Sequence, residues 1–375
     1  MRLGLITLSI GSSFGKKGYY NAQDIGLSKA LSGLVEDIIL YKLTTEEELV
    51  GTKEQLEGFP NVTIRYLATK KAGTNSIFDP KQMDSELDGL ICFSDIQMML
   101  PGVKKWAQKN HIFFLPYIGV LESHSTSLMK KYFMNLLSHR NIRAYRGCCC
   151  MAKTIEVEKQ LKAKGVTDTL LTPVGLDISL VYEDYGQADV ASLKKKYGYQ
   201  PDDKVLLFIG RLIEEKQPLR MLDIFDTIYQ KDSRYKLCMV GKGPLEAQVE
   251  QKCKGLSCRE AVKRMEQIPN SEVWELYRIA DSFVNLNQQE IFGMALLEAM
   301  YYECKVVAWT APGPDFLIET NKNGILCKSD REIMDGILSG EYDLQTAHNL
   351  VIEEHTWAYT AKAITNKLKR EGLGQ

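Results

Sequence analysis

The sequence predicts an α/β protein made of two doubly wound, Rossmann-like domains. Its 375 residues exceed what one hydrophobic core comfortably serves, so two domains are expected. Short apolar runs alternate with amphipathic helical stretches, which is typical of parallel sheets built from βαβ units. The same pattern restarts after a polar stretch. Two such domains place a cleft between them that the carboxyl ends of both sheets can face.

The individual elements follow from the apolar runs and their spacing. In the first half we predict helices over Tyr20–Ser32 and Ser125–Leu137, and strands over Leu3–Ser9, Asp37–Tyr41, Val62–Leu67, Gly89–Phe93, Ile112–Pro116, Ala144–Met151 and Thr169–Thr172. In the second half we predict strands over Val205–Ile209, Lys236–Val240, Val262–Met265, Ser282–Asn285 and Lys305–Ala308.

The polar stretch Tyr182–Lys204 is the best candidate for a linker because it is rich in Gly, Pro and Asp. We therefore predict an N-terminal domain over residues 1–180 and a C-terminal domain over 181–355. The stretch 356–375 is predicted to be an amphipathic helix, and its pattern alone is compatible with packing on either domain.

Composition excludes several classes of protein. The formal net charge of −1 argues against a general nucleic-acid binder. No apolar run reaches the roughly 20 residues that span a bilayer, and the first ten residues resemble a buried strand rather than a secretory signal. The nine cysteines are then expected to be reduced, buried and structural, in a cytoplasmic protein.

Positive charge is concentrated between Met98 and Lys153, where nine Lys or Arg residues accompany a single acid, Glu122. Two helices with solvated faces explain this composition. The alternative is a surface that faces anionic lipid or a phosphate-bearing acceptor, where each cation contributes about 1 kcal/mol. Both interpretations stay open at this point, and the second predicts a peripheral protein at the inner face of the membrane.

Two glycine-containing strand ends predict an anion site in the second half. The strand that ends at Gly210 is followed by Arg211 and Lys216, just before a helix whose N-terminal amides also favour negative charge. The next strand ends in Val-Gly-Lys-Gly-Pro at 240–244. Each strand end alone is weak evidence for an anion site, and the spacing between the two strengthens the prediction.

The strongest signal is an acid pair, Glu290 and Glu298, separated by seven residues. The segment from Phe292 onward has a helical pattern, so we predict that both acids lie on one helix, about 80° apart, and face the same ligand. Gly293 and Met294 would offer unpaired N–H groups at its start. Glu298 lies within an apolar run, an unfavourable position for a carboxylate without a partner.

From Gly210 to about Leu326 the sequence resembles the C-terminal half of the retaining glycosyltransferases of family 4, glycosyl transferases group 1, which have the GT-B fold. The shared pattern is a G-R-L-x-x-x-K strand end, a V-G-x-G-P turn, two acids with seven residues between them and a V-V-A strand. Here these are Gly210–Lys216, Val240–Pro244, Glu290–Glu298 and 306–308.

The resemblance assigns roles to these positions. Arg211 and Lys216 would neutralise the diphosphate of a nucleotide-sugar donor, Glu298 would hold the ribose hydroxyls and Glu290 would contact the transferred sugar. The remaining donor contacts implied by the family are Phe292, Gly293, Met294 and Ile268, the last beside the nucleobase.

The segment that starts with Thr356-Trp357 resembles the one whose helix crosses back onto the first domain in this family, so the resemblance implies that 356–375 packs on the N-terminal domain. The N-terminal half resembles the family more loosely. Gly15–Gly18, with Gly18 nearest the donor, stands where relatives carry a glycine-rich loop. His124 stands roughly where relatives carry a histidine that reaches the sugar, but its offset is longer than usual, so Glu122 is the alternative. Asn287 and Glu266 depart from the family pattern, which leaves the base and sugar open.

The resemblance implies transfer of a hexose-type sugar from a nucleoside-diphosphate sugar, with a UDP-sugar favoured, to a glycan or lipid-linked acceptor in bacterial surface polysaccharide synthesis. No cofactor and no metal are expected, since cations and helix amides stabilise the departing diphosphate. A noncatalytic nucleotide-sugar-binding subunit is the alternative. A nicotinamide-dependent oxidoreductase is disfavoured because Gly11, Gly15 and Gly18 lack the G-x-G-x-x-G spacing.

Overall fold

The structure is a computed structural model that describes residues 1–8, 22–73, 75–122 and 128–374. The chain divides into two compact units. Unit 1 comprises Met1–Asp177 together with Thr356–Gln375, and unit 2 comprises Ile178–His355. The first division lies three residues before the predicted end at 180, and the second lies at the predicted residue 355.

Unit 1 is an α/β unit whose described strands form mainly parallel pairs. The strands are β1 (Arg2–Thr7), β2 (Asp37–Thr44), β3 (Lys53–Leu56), β4 (Phe59–Ala68), β5 (Lys70–Ala72), β6 (Asn75–Ile77), β7 (Gly89–Phe93), β8 (Phe113–Ile118), β9 (Cys150–Ala152) and β10 (Thr169–Leu171). The helices are α1 (Gln23–Ser32), α2 (Leu100–Lys109), α3 (Leu128–Tyr145), α4 (Ile155–Ala163) and a C-terminal helix, Trp357–Arg370.

In the described part of unit 1, the main sheet has the order β10-β9-β8-β7-β1-β2-β4-β3, in which β3 alone runs antiparallel to its neighbour. The C-terminal helix packs on α1 so closely that a Cβ at Gly26 would lie 2.3 Å from Nε1 of Trp357. The Thr360 hydroxyl also donates a 2.6 Å hydrogen bond to the Pro173 carbonyl oxygen. The Trp357 ring against Gly26 and the hydrogen bond of Thr360 thus hold the C-terminal helix on unit 1.

Unit 2 is a second α/β unit. Its strands are β11 (Lys204–Ile209), β12 (Tyr235–Val240), β13 (Val262–Met265), β14 (Ala280–Asn285), β15 (Val306–Trp309) and β16 (Ile325–Cys327). Its helices are α5 (Val190–Lys196), α6 (Pro218–Lys231), α7 (Glu246–Gly255), α8 (Val273–Ile279), α9 (Met294–Tyr301), α10 (Pro312–Leu317), α11 (Asp330–Ser339) and α12 (Leu344–Glu354). All pairs between neighbouring strands are parallel, in the order β13-β12-β11-β14-β15-β16.

Two of the expected elements are wrong. The strand predicted over Ala144–Met151 is instead the end of α3, which runs to Tyr145, and then a turn through Gly147 with φ 75° before β9 begins at Cys150. The predicted linker Tyr182–Lys204 is folded: Asp189 caps α5 and Tyr197 and Tyr199 are buried. Its polar composition reflects short helices and caps rather than a free connection.

Candidate functional site

The sheet of unit 2 reverses its strand order between β11 and β14. From β11 the chain builds outward through β12 and β13, and it then returns to the other side of β11 for β14, β15 and β16. The loops that follow β11 and β14 therefore leave the sheet side by side at its carboxyl edge. In open α/β sheets this switch point is where ligands bind.

The loop after β11 carries two cations to this edge. Arg211 is exposed, and among the described residues it forms no ion pair. Lys216 lies at the end of a short 3₁₀ turn, and its methylene groups pass 3.7 Å from the position of a Cβ at Gly210. Gln217 follows with φ 57°, and α6 then starts at Pro218. The cations are therefore held by a tight turn between strand and helix.

The glycines after β12 let two loops touch backbone to backbone. A Cβ at Gly241, where φ is 146°, would lie 1.9 Å from the Gly210 carbonyl oxygen, and one at Gly243 would lie 2.4 Å from the Leu212 oxygen. Hydrogen bonds from Leu212 N to the Lys242 oxygen at 2.9 Å and from Leu245 N to the Leu212 oxygen at 3.0 Å join the loops. The Val-Gly-Lys-Gly-Pro segment is thus the support on which the Arg211 loop rests.

Glu290 faces Lys216 across the switch point. Its Oε2 lies 2.5 Å from Nζ of Lys216, and the same oxygen accepts hydrogen bonds from the amides of Asn287 at 3.2 Å and Asn285 at 3.4 Å. The Glu290 side chain is 16% exposed and that of Lys216 is 28% exposed. Lys216 and Glu290 thus form a partly exposed ion pair that the two asparagines hold by hydrogen bonds.

The segment between Glu290 and α9 packs against Gly313 at the start of α10. The Glu290 carbonyl oxygen accepts a 2.8 Å hydrogen bond from Gly313 N, and a Cβ at Gly313 would lie 2.4 Å from the Phe292 oxygen. Gly293 adopts φ 95° as the residue before α9. Within the described part of the chain, the N–H groups of Gly293 and Met294 donate to no backbone carbonyl outside the helix. They are oriented as an anion or hydroxyl site at a helix start.

The start of α9 differs from the sequence expectation. The helix begins at Met294 rather than Phe292, and Glu290 lies in the preceding loop. The predicted angle of about 80° between the two acids around one helix axis therefore does not apply. Glu290 reaches the site from the loop and Glu298 from within the helix.

Glu298 is buried, with 8% of its surface exposed, and Tyr277 on α8 donates a 3.0 Å hydrogen bond to its Oε2. Tyr277 is held in turn by Phe283 and Tyr302, with ring centroids at 5.8 Å and 5.9 Å. The hydroxyl group of Tyr277 thus supplies a partner for a carboxylate within an apolar helix, as the cost of burying that group requires.

An aromatic cluster supports Phe292. The rings of Phe316 and His355 lie 6.1 Å and 6.4 Å from the ring of Phe292 between centroids. Burial lowers the pKa of His355 to about 4, so this imidazole is neutral near pH 7. The Phe292 loop therefore rests on an uncharged surface within unit 2.

The remaining predicted site residues are more scattered. Ile268 is buried in the loop between β13 and α8. Gly18 and His124 lie outside the described residues, so their roles stay predictions. Glu122, the alternative to His124, is 65% exposed and pairs with Lys164 at 3.2 Å. Glu266, which departs from the family pattern, forms an exposed ion pair with Lys242 at 2.7 Å.

Sequence reasoning missed Asn285 and Tyr277 as residues that hold the site together, and it noted Asn287 only as a departure from the family pattern. The two asparagines are spaced three and five residues before Glu290, and Asn285 ends the buried strand β14. That position alone was a usable signal, because polar residues at the carboxyl ends of parallel strands meet at one edge. Nothing local marks Tyr277, whose contact with Glu298 joins two helices. Among the described residues no group of three or more His, Cys, Asp and Glu side chains is arranged to hold a metal ion.

Comparison with solved structures decides the fold. The chain is similar to Anabaena HepE solved in complex with UDP, with a TM-score of 0.74 and 16% identity over 99% of this chain and 100% of that one. It is also similar to the sucrose-phosphate synthase of Thermosynechococcus elongatus, with a TM-score of 0.72 and 15% identity over 100% of both chains. The fold is GT-B. The prediction of two Rossmann-like domains is confirmed.

The sequence of the GT-B chain agrees with this fold. Residues 189–351 match the family model described as glycosyl transferases group 1. The chain is 22% identical over 182 residues to the alpha-monoglucosyldiacylglycerol synthase of Acholeplasma laidlawii, covering 48% of this chain and 46% of that protein. It is 28% identical over 216 residues to an uncharacterized glycosyltransferase of Methanocaldococcus jannaschii, covering 55% and 54%. The chain thus spans about half the length of these curated relatives.

Proposed function

We propose that the protein is a retaining glycosyltransferase that moves a hexose from a UDP-sugar to a glycan or lipid-linked acceptor, in the synthesis of bacterial surface polysaccharide or glycolipid. The observation that carries this proposal is the group formed by Lys216, Glu290 and the free amides before α9 at the switch point of unit 2. The match of residues 189–351 to the glycosyl transferases group 1 model supports it. So do the UDP complex of HepE and the glycolipid named for the Acholeplasma relative.

In this proposal the donor diphosphate displaces Glu290 from Lys216. Lys216 and Arg211 then neutralise the two phosphates, and the N–H groups of Gly293 and Met294 contribute further donors. These charges are in place before the reaction, so they stabilise the negative charge that grows on the leaving diphosphate. Glu290, released from its ion pair, accepts hydrogen bonds from sugar hydroxyls and orients the ring.

The reaction transfers the sugar on one face. The bond between the sugar's anomeric carbon and the β-phosphate oxygen breaks, and a bond forms between that carbon and the acceptor oxygen. The acceptor's proton passes to a β-phosphate oxygen, so the products are the glycoside and UDP. Glu290 is placed as a positioning group and not as a nucleophile. Neither a metal nor another cofactor has a role in this scheme.

The proposal places the nucleoside on the other side of the diphosphate. Glu298 would hold the ribose hydroxyls, and Ile268 and Phe292 would border the base and the sugar. A contact of His124, or of Glu122 in its place, with the sugar stays a proposal that rests on the family resemblance alone. We place the protein in the cytoplasm at the inner face of the membrane, where lipid-linked acceptors are found. No described helix is long and apolar enough to cross a membrane.

The test is release of nucleoside diphosphate from UDP-, GDP-, ADP- and dTDP-sugars in the presence of EDTA. We expect release from UDP-sugar, lost in Arg211→Ala and Glu290→Ala and retained in Lys254→Ala, an exposed lysine on α7. Binding of a nucleotide without turnover, with and without a set of lipid and glycan acceptors, would instead favour a noncatalytic subunit. Activity that EDTA abolishes would contradict metal independence.

A second prediction concerns the position of Glu298. In Tyr277→Phe the phenol no longer donates to Oε2, so we expect UDP to bind about tenfold more weakly, as for loss of one hydrogen bond to a charged group. Isothermal titration calorimetry measures this. Tyr342→Phe is the matched control, because the Tyr342 hydroxyl accepts from Val306 N at 2.7 Å. An unchanged Kd in Tyr277→Phe would show that Glu298 needs no support from α8 to bind ligand.

A further inference from the structure

The first half of α3 carries an exposed apolar surface. Leu128, Met129, Tyr132, Phe133 and Leu136 are 83%, 84%, 76%, 49% and 60% exposed. A single exposed leucine is ordinary, but adjacent large side chains on one helix are unusual for the surface of a monomer. We call these five side chains the apolar stripe of α3.

The helix is nevertheless firmly attached to unit 1 by its second half. Leu137, Ser138, Asn141, Ile142 and Tyr145 are buried. The Asn141 amide donates a 2.9 Å hydrogen bond to the Gln97 carbonyl oxygen, and the Ser138 hydroxyl donates to the Leu121 carbonyl oxygen. Among the residues of α3 whose side chains are described, none before Leu137 is buried. The stripe is therefore presented on an anchored helix.

Helix geometry places the stripe opposite the anchored side. At about 100° per residue, the five apolar residues fall within a sector of about 140°. The same sector continues toward the C-terminus through His139, Arg140 and Arg143, which are exposed. One face of α3 is thus apolar along its first half and cationic along its second half.

The charge of the surrounding surface has one sign. Neither α2 nor α3 contains an acidic residue. Lys104 has a structural role, because its Nζ donates to the Ala144 and Arg146 carbonyl oxygens at 2.6 Å and 3.0 Å. Among the side chains that the structure describes, the exposed cations of these helices that form no ion pair are Lys105, Lys109, Lys131, Arg140 and Arg143, of which Arg140 donates to the Met98 carbonyl oxygen. They lie on α3, which carries the stripe, and on α2, which packs against α3.

We propose that the apolar stripe of α3, with the cations of α2 and α3, docks unit 1 on an anionic lipid bilayer. Apolar and aromatic side chains enter the boundary between head groups and acyl chains, and Lys and Arg face anionic head groups. A second copy of the chain is a poorer occupant, since a symmetric contact through this face would place like charges together. The inference deepens the proposed function by naming the surface that brings unit 1 to a lipid-linked acceptor.

The experiment is flotation with vesicles of phosphatidylcholine, with or without 30% phosphatidylglycerol. We expect the wild type to float with the anionic vesicles and to bind the neutral vesicles at least tenfold more weakly. Phe133→Asp/Leu136→Asp should lower binding to anionic vesicles at least tenfold. Lys131→Glu/Arg143→Glu should do the same, and raised salt should weaken wild-type binding.

The control is Ile352→Asp, which changes an apolar side chain of similar size, 42% exposed on α12, and should bind as the wild type does. All substituted side chains are exposed, and equal melting temperatures check that each variant is folded. Wild type that fails to float, or stripe variants that float as well as wild type, overturns the proposal. A dimer in light scattering that the stripe variants convert to monomer, without vesicle binding, overturns it in favour of a second copy. UDP release without vesicles tests the transferase separately.

Discussion

Replacing Lys216 by methionine should lower kcat for sugar transfer by about 100- to 1,000-fold, as expected when one preorganised charge is removed from a departing oxyanion. Methionine is unbranched and one atom shorter, so it keeps atoms at the two side-chain positions that lie beside Gly210 and loses the charged end. Its Nζ lies 2.5 Å from Oε2 of Glu290 without a ligand. Steady-state rates at saturating UDP-sugar measure the effect, because the loss is expected in kcat rather than in folding.

The pairing with Glu290 makes a sharper test possible. In the proposal, one event links the two side chains: the donor diphosphate takes the place of Glu290 beside Lys216. Glu290→Gln and the double variant Lys216→Met/Glu290→Gln should therefore lose activity by a similar factor, and the losses of the two single variants should not multiply. Lys252→Met is the control, since Lys252 also pairs with a carboxylate at 2.6 Å, that of Asp223, but on the surface between α6 and α7. Losses that multiply in the double variant would mean that the two residues act independently, contrary to the exchange.

Much of the sheet could be predicted from apolar runs. The strands Gly89–Phe93 and Val262–Met265 have the predicted bounds. The strand Gly89–Phe93 is buried at every position and is preceded by an acidic turn, so its apolar sequence agrees with its buried position in the sheet. The segment Ala144–Met151 fails for the opposite reason. Its apolar residues reflect the buried side of α3 followed by β9, and one apolar run is compatible with both types of element.

Residues of the candidate site could be predicted only where a short stretch of sequence marks them. Arg211, Lys216 and Glu290 occupy strand and helix boundaries that the sequence marks, and the structure brings Lys216 and Glu290 into contact. Tyr277 could not be found in the same way, because its bond to Glu298 depends on how α8 packs against α9. The apolar stripe of α3 was also missed. Its residues have the composition of a core, and only the packed structure shows that these five side chains are exposed.

The largest effect on the fold is expected from a single methyl group at Gly241. In Gly241→Ala the new Cβ would lie 1.9 Å from the Gly210 carbonyl oxygen and 3.7 Å from Arg211 N, at a φ of 146° that alanine rarely adopts. The neighbouring atom is backbone, so relief requires β12 and the Arg211 loop to move apart, with loss of the bonds that join the two loops. We expect unit 2 to lose about 4 kcal/mol or more of unfolding free energy, measured by urea denaturation.

Gly255→Ala separates this collision from the general effect of adding a methyl group. Gly255 ends α7, and a Cβ there has nothing within 4 Å. Alanine also restricts the unfolded chain, so this variant should be neutral or more stable by about 0.4–1 kcal/mol. If Gly241→Ala is folded enough to assay, its UDP-induced rise in melting temperature should shrink, because the Arg211 loop rests on this turn. A Gly241→Ala protein with wild-type stability would refute the backbone contact between the β11 and β12 loops, and with it the reason for the two glycines of Val-Gly-Lys-Gly-Pro.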